Sequence, residues 1–334
     1  MNDSLPERTS SLFPSKERII PAIKLPFATN LTPENKGSLS KDHLLGVQGS
    51  ANESKWEALL KRHGIDSEIQ GMELIGGCPF HDCPSFGEGK QKFTMNRQTA
   101  EWRCFVCGKQ GNHVTFIREI HRNSLEQTTD AHRADLRRKR QNAIDNEELM
   151  EMQLALNPAT NEWSLPAWNV EGKIVNLYSY REQFDPTTGK KFMQIQSSPS
   201  FSHIPYGIHM LRSAPQRILW VVEGHWDYLA LLGLLRRLKI RNDHDVVAAP
   251  GAGTFPSRYL SMFNGRNVII AFDNDPAGEA GQETLMQGIA KASIMPLTCK
   301  HIKWPATTPQ KFDLSDVIVK LPQPLRKKPK DAVK

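Results

Sequence analysis

Apolar positions along this chain change their period as the sequence advances. From residue 216 to about 318, short apolar runs alternate with longer stretches of helical character. The runs include Ile218-Leu219-Trp220-Val221-Val222 and Val268-Ile269-Ile270-Ala271-Phe272. This spacing predicts strands at 217–222, 245–249, 267–272 and 296–303, and helices over 225–238 and 276–292. Strand, helix and strand in that rhythm build a small parallel sheet flanked by helices. Pro276 fits the first position of the second helix, where its missing N–H leaves nothing unpaired.

Further upstream the period shortens. Residues 163–193 alternate with a two-residue repeat, broken by turn chemistry at Glu171-Gly172 and at Asp185-Pro186-Thr187-Thr188-Gly189, which predicts a basic, hairpin-rich module. Short strands are expected at 92–96 and 101–105. Trp56, Leu59 and Leu60 mark an amphipathic helix that stops near Gly64. Residues 122–157 carry Arg133, Arg137, Arg138, Lys139 and Arg140 ahead of Asp145, Glu147, Glu148 and Glu151. They read as an exposed linker helix whose basic half could touch a phosphate backbone. The first fifty residues are rich in Ser, Pro, Asn, Lys and Glu without sustained periodicity, which predicts disorder.

The resulting division is a disordered segment 1–52, a cysteine module 53–121, a charged linker 122–157, a basic module 158–215, a sheet domain 216–320 and a basic tail 321–334. The fold class is multidomain α/β, α+β overall.

Charge narrows the partners. The formal net charge of +7 favours a polyanion. No apolar run approaches the roughly 20 residues that span a bilayer, and the amino terminus has no signal-peptide core. Of the five cysteines, four fall between positions 78 and 107. Such clustering points to a metal in a reducing compartment, with the cytoplasm as the expected location.

Cys78-x2-His81 and Cys104-x2-Cys107 have the pair spacing of a zinc site. Three thiolates and an imidazole close a tetrahedral shell, so one structural zinc is expected. Cys83 is an alternative to His81; the two-residue spacer, which makes the tighter knuckle, favours His81.

Two of the apolar runs end abruptly in carboxylates: Glu223-Gly224-His225-Trp226-Asp227 after one, and Asp273-Asn274-Asp275-Pro276-Ala277-Gly278 after the other. Open α/β sheets bind ligands at this carboxyl edge. Clustered carboxylates repel unless a cation neutralises them, and oxygen-only ligands suit Mg²⁺ or Mn²⁺.

Cys78-Pro79-Phe80-His81, Pro84-Ser85-Phe86 and Cys104-Phe105-Val106-Cys107-Gly108 resemble the zinc ribbon of bacterial replicative primases and their phage relatives. Glu223-Gly224-x-x-Asp227 and Phe272-Asp273-Asn274-Asp275-Pro276-Ala277-Gly278 resemble the two acidic motifs of the TOPRIM domain. Gly251 and Gly253 fall where primases carry a glycine turn. Asp313 and Asp316 resemble a later acidic element, with its usual Lys-Asp pair split by Phe312. Gly172-Lys173-Ile174-Val175, Arg181, Lys190-Lys191-Phe192 and Pro205-Tyr206-Gly207 resemble the basic segment that precedes TOPRIM.

The resemblance covers residues of about 55 to 320 and implies a DnaG-like DNA primase without a helicase domain, of a bacterium, phage or other mobile element. It implies that Glu223, Asp273 and Asp275 hold Mg²⁺ or Mn²⁺ while Asp227 shapes the site. Lys173, Arg181, Lys190 and Lys191 are the implied contacts to nucleoside triphosphate and template. On the ribbon, Phe86, Lys92, Trp102 and Arg103 are candidates for gripping single-stranded DNA, although Trp102 and Phe93 fit a ribbon core equally well. A separate replicative helicase is the remaining expected partner. A non-catalytic single-strand-binding factor and a TOPRIM nuclease are the alternatives.

Overall fold

The computed structural model describes residues 28–30, 54–88, 91–184, 191–197, 203–212, 214, 216–251, 253 and 255–321; of the side chains at 28–30, 182–184 and 191–197 nothing is stated. The expected disordered segment therefore lies outside the described residues except for β1 (Ala28–Asn30).

The cysteine module opens with α1 (Lys55–Arg62), capped by Ser54, whose hydroxyl accepts from the Glu57 N–H. A five-stranded antiparallel sheet follows in sequence order: β2 (Ser67–Gln70), β3 (Glu73–Gly76), β4 (Phe93–Asn96), β5 (Trp102–Cys104) and β6 (Gln110–Gly111). Helix α2 (His113–Gln127) closes it, capped by Asn112. Phe80, Phe93, Trp102 and Phe116 pack ring to ring at centroid distances of 5.4–6.4 Å and form the centre of this small core.

Residues 122–157 differ from the expected linker. After the end of α2 they form α3 (Asp130–Lys139), α4 (Asn146–Glu151) and β7 (Ala155–Asn157). Leu136, Ala143, Ile144, Leu149, Met152 and Leu154 are all buried in the main core. Their apolar side chains outweigh the charged composition, because the charges pair across elements: Arg236 with Glu148 at 3.0 Å, and Arg237 with Asp145. The segment is thus a packed wall of the core.

Strands β7, β8 (Glu162–Trp168), β9 (Ile174–Phe184) and β10 (Lys191–Ser197) form an antiparallel sheet in the order β10-β9-β8-β7, as the two-residue period predicts. Contacts between α2 and this sheet seat the cysteine module against it. The Arg118 Nε donates to the Ile174 carbonyl at 2.8 Å, His121 Nδ1 meets Ser164 Oγ at 3.1 Å, and the Leu156 N–H donates to Thr128 Oγ1 at 2.9 Å.

The sheet domain follows the predicted alternation closely: β11 (Ile218–Val222), α5 (His225–Arg237), β12 (His244–Ala248), β13 (Asn267–Ala271), α6 (Pro276–Lys291), β14 (Thr298–Ile302) and α7 (Leu314–Lys320). Strand order is β1-β14-β13-β11-β12, parallel except for the antiparallel edge strand β1. Apolar residues on the two faces of the sheet pack against α5 and α7 on one side and α6 on the other, which is why β11, β12 and β13 carry apolar runs. At the amino ends of the strands, Asp245 is buried and accepts from Arg217 Nε and Arg266 Nη1, both at 2.8 Å. Among the described residues, no helix is long and apolar enough to cross a membrane.

Candidate active site

Strands β11 and β13 are hydrogen-bonded neighbours, with Val222 beside Ala271. Glu223 and Asp273 therefore leave the sheet side by side at its carboxyl edge. The Asp273 N–H donates to Glu223 Oε2 at 3.1 Å, which fixes the first carboxylate to the second strand's end. Gly278 makes this approach possible. A Cβ there would lie 2.3 Å from the Asp273 carbonyl oxygen and 3.0 Å from Glu223 Oε2. Asp275 caps α6, accepting from the Gly278 N–H at 2.8 Å.

The later acidic element joins by backbone pairing. The Asn274 N–H donates to the Phe312 carbonyl and the Lys311 N–H to the Asn274 carbonyl, both at 2.9 Å. Phe312 thus serves as the bridging residue, its ring edge-on to Trp304, and this accounts for its place between Lys311 and Asp313. Asp313 caps α7 in a reciprocal box with Asp316. Asp227 is buried and accepts from both the N–H and the Oγ of Ser315, at 3.0 and 2.8 Å. It ties α5 to α7 and takes a positioning place behind the edge. Gly224 caps α5, and Gly253 turns through φ +69° after β12, in the same turn as Gly251.

Burial, then Asp227, Glu223 and the other neighbouring carboxylates, push Asp273 up to about 9. Burial and Asp313 raise Asp227 to about 7 against the hydrogen bonds from Ser315. Burial foremost also raises Glu223 and Asp313. The edge is an oxygen-only donor set whose like charges resist ionising together. Such a set fits Mg²⁺ or Mn²⁺, since Mg²⁺ keeps several waters and takes only one or two carboxylates.

One cation of the basic run at 133–140 comes near this edge. Arg140, just past α3, lies over the Trp226 ring at 4.9 Å and donates to the Tyr180 hydroxyl at 3.4 Å. It is close enough to Asp227 and Asp313 to oppose their upward shifts. Its sequence signal is the basic run 137–140, the half of the expected linker helix that could touch a phosphate backbone.

The other predicted contacts disperse. Arg181 pairs with Glu162 at 3.3 Å, with Arg62 of α1 nearby, at the junction of the two modules. Lys173 is exposed on the β8–β9 turn. Lys190 lies outside the described residues, and only the backbone of Lys191 is described, in β10. On the ribbon, Arg103 is exposed and stacks on Phe105 at 4.1 Å, and Phe86 and Lys92 are also exposed. Trp102 is not a template contact. It is buried in the ribbon core, with its indole N–H donating to the Asn112 carbonyl at 2.8 Å.

The thiol cluster corrects the sequence reading as well. The sulfurs of Cys78, Cys83, Cys104 and Cys107 lie within 4.8 Å of one another, and no other His, Cys, Asp or Glu set among the described residues converges in this way. His81 points elsewhere: its ring Nδ1 meets Asn123 Oδ1, and its Nε2 lies 3.4 Å from Glu126 Oε2. The reason is the turn after Phe80, closed by the Cys83 N–H to the Phe80 carbonyl at 2.9 Å, which folds Cys83 back beside Cys78. Four thiols satisfy a tetrahedral zinc completely and mark the site as structural.

Fold and site define a class: a zinc ribbon joined to a parallel-sheet domain with an acidic carboxyl edge. The family comparison makes this particular. Residues 52–147 match the CHC2 zinc finger of the DnaG zinc ribbon, and residues 220–318 match the Toprim-like family. The chain therefore carries a DnaG-type zinc-ribbon match and a Toprim-like match in one sequence. No curated protein matches it.

Similar solved structures include the zinc-binding and RNA polymerase domains of the Aquifex aeolicus primase. That pair is 14% identical over 79% of this chain and 82% of that one, with a TM-score of 0.42. The primase fragment of the bacteriophage T7 primase-helicase is 16% identical over 71% and 93% of the two chains, with a TM-score of 0.38. The E. coli primase catalytic core is 16% identical over 61% and 72%, with a TM-score of 0.45.

Proposed function

We propose that this chain is a DNA primase, a nucleotidyltransferase that joins ribonucleotides into short primers on single-stranded DNA. The observation that carries the reading is the juxtaposition of Glu223 and Asp273 on neighbouring strands, cradled by Gly278, in a chain that also carries a DnaG-type zinc ribbon. Glu223, Asp273 and Asp275 are the residues that would hold Mg²⁺ or Mn²⁺, which when bound would lower the pKa of an attacking 3′-hydroxyl and offset the negative charge that develops on the transferred phosphate.

The chain's own residues position the reactants. Asp227 fixes α7 through Ser315, and α7 carries Asp313 to the edge. Arg140 is placed to meet a triphosphate or template phosphate, and its planar fork suits phosphate oxygens. Lys173 and Lys191 on the neighbouring sheet are further candidates, together with Lys190. Arg181, engaged with Glu162, serves the junction of the modules in this reading. The zinc set is Cys78, Cys83, Cys104 and Cys107, and it holds the ribbon on which Arg103, Phe105 and Phe86 present cations and ring faces to a strand. Nucleoside triphosphates, a single-stranded template and a separate helicase are the partners, in a cytoplasm.

Primer synthesis on a panel of single-stranded templates tests the reading, with Mg²⁺ or Mn²⁺ and labelled nucleotides. Short products from the wild type and none from Asp273→Asn are expected. Degraded template, or DNA binding without product on any template, overturns it.

A further inference from the structure

The carboxyl edge of the parallel sheet continues past its acids. Strand β14 runs parallel to β13 with Ile270 opposite His301, so Lys303 and Trp304 leave the sheet beside Phe272 and Asp273. Between them and the first turns of α6 lies a cleft of about 290 Å³. Its walls are residues 272–274, then Gly278, Glu279 and Gln282 of α6, and the end of β14 through Trp304. Gly278, which cradles Glu223, is therefore shared between the acidic edge and this cleft.

The lining carries unused hydrogen-bonding capacity. The side chains of Glu279, Gln282 and Lys303 make no hydrogen bond or ion pair with any described residue. The neighbouring donors are already engaged. Asn274 Nδ2 donates to the carbonyls of Thr308 and Pro309 at 3.1 and 2.8 Å, and the Trp304 indole N–H donates to the Phe272 carbonyl at 2.9 Å. The ring of Trp304 is left as apolar surface in the wall. Glu279 and Lys303 balance each other in charge, which disfavours a triphosphate. Carboxylate and amide acceptors beside one cation and one ring suit a sugar, whose hydroxyls donate and whose C–H face packs on an indole.

We infer that this cleft holds the ribose at the growing 3′ end, with Glu279 accepting its 2′-hydroxyl, Gln282 beside it, and Lys303 meeting the phosphate on its 5′ side. A ribose carries its 2′- and 3′-hydroxyls on adjacent carbons. A 3′-hydroxyl placed at Glu223 and Asp273 therefore has its 2′-hydroxyl at the flank of the edge, where the cleft lies. The sugar of an incoming nucleotide is farther off, because its 5′ carbon and oxygen stand between it and the reacting phosphorus. A carboxylate that accepts the 2′-hydroxyl distinguishes RNA from DNA at that one position. The inference rests on the primase reading given above and deepens it, since the chain then checks the sugar last added before it adds the next.

The test is equilibrium binding of the full chain, zinc-loaded and with Mg²⁺, to a DNA template carrying a short RNA primer. The primer ends in either ribose or 2′-deoxyribose, and no nucleoside triphosphate is present. Binding is then read without synthesis, so a ribose preference in a chain that makes no primers separates failure of the primase reading from failure of this one. Wild type is expected to bind the ribose-ended primer about tenfold more tightly, the scale of one hydrogen bond to a charged group. Glu279→Ala brings that ratio to about one and leaves the affinity for the deoxyribose end unchanged. Glu279→Gln, which keeps an acceptor at the same place, retains part of the preference. No preference in wild type, or the full ratio persisting in Glu279→Ala, overturns the inference. When nucleotides are added, lost discrimination between ribo- and deoxyribonucleoside triphosphates with the primer-end ratio intact overturns it too, and assigns the cleft to the incoming sugar.

Discussion

The two ends of one parallel sheet treat buried acids in opposite ways. At the amino end, Asp245 lies between Arg217 and Arg266, so its charge is matched inside the fold. At the carboxyl end, burial first and neighbouring carboxylates second raise the proton affinity of Glu223, Asp273, Asp227 and Asp313, and Arg140 opposes the shifts of Asp227 and Asp313. The first arrangement is complete without a ligand. The second is complete only with added positive charge. The difference separates an acid that holds the fold from acids kept for chemistry, although all of them are buried or partly buried.

The zinc cluster, where the fold itself depends on a metal, gives the largest effect and the control for this comparison. Cys83→Ser is expected to lose the bound zinc and unfold the ribbon, a change on the scale of about 10 kcal/mol. His81→Ala should keep one zinc per chain, as read by metal analysis. Zinc loss from His81→Ala alone would restore the histidine to the ligand set.

Next, Asp245→Ala leaves two buried guanidinium groups without their carboxylate and should cost about 3–5 kcal/mol in denaturant unfolding. Asp273→Asn should do the reverse in metal-free protein, stabilising it by about 1–3 kcal/mol at pH 8. The sign follows from the shift. Asp273 rises from 3.8 to about 9 on folding, so the folded chain holds this proton where the unfolded chain has lost it. Metal-free stability therefore falls as pH rises from about 4 to about 9, and Mg²⁺ affinity grows over the same interval. A flat stability profile, matched by Asp273→Asn, would break the contrast between the two ends.

The smallest expected change in stability comes with a clear change in activity. Arg140→Ala should cost about 1 kcal/mol in unfolding, the scale of its cation–π contact with Trp226, yet lower primer synthesis by about 10- to 100-fold, as removing a charge-stabilising donor does. Equal losses in unfolding and synthesis would make Arg140 a structural cation.

The sheet domain was legible in the sequence because β11, β12 and β13 carry apolar runs that stop at Glu223, a glycine turn and Asp273. Local composition carries that signal. Three features were not legible, each because it depends on contacts across the chain. The turn after Phe80 returns Cys83 to Cys78, which spacing alone ranks below His81. The apolar face of 136–154, spread over two helices and a loop, is hidden by surrounding charges that pair with α5. Arg140 and Arg181 look alike as basic residues, and only the fold sends one to the acidic edge and the other to Glu162.

The most direct test of the central claim is pyrophosphate release from two nucleoside triphosphates on a single-stranded template, comparing wild type with Glu223→Gln. The account predicts release that requires both template and Mg²⁺ or Mn²⁺ and disappears in the variant, with zinc content unchanged. Equal release by the two proteins, or none from a zinc-loaded wild type that binds the template, would contradict it.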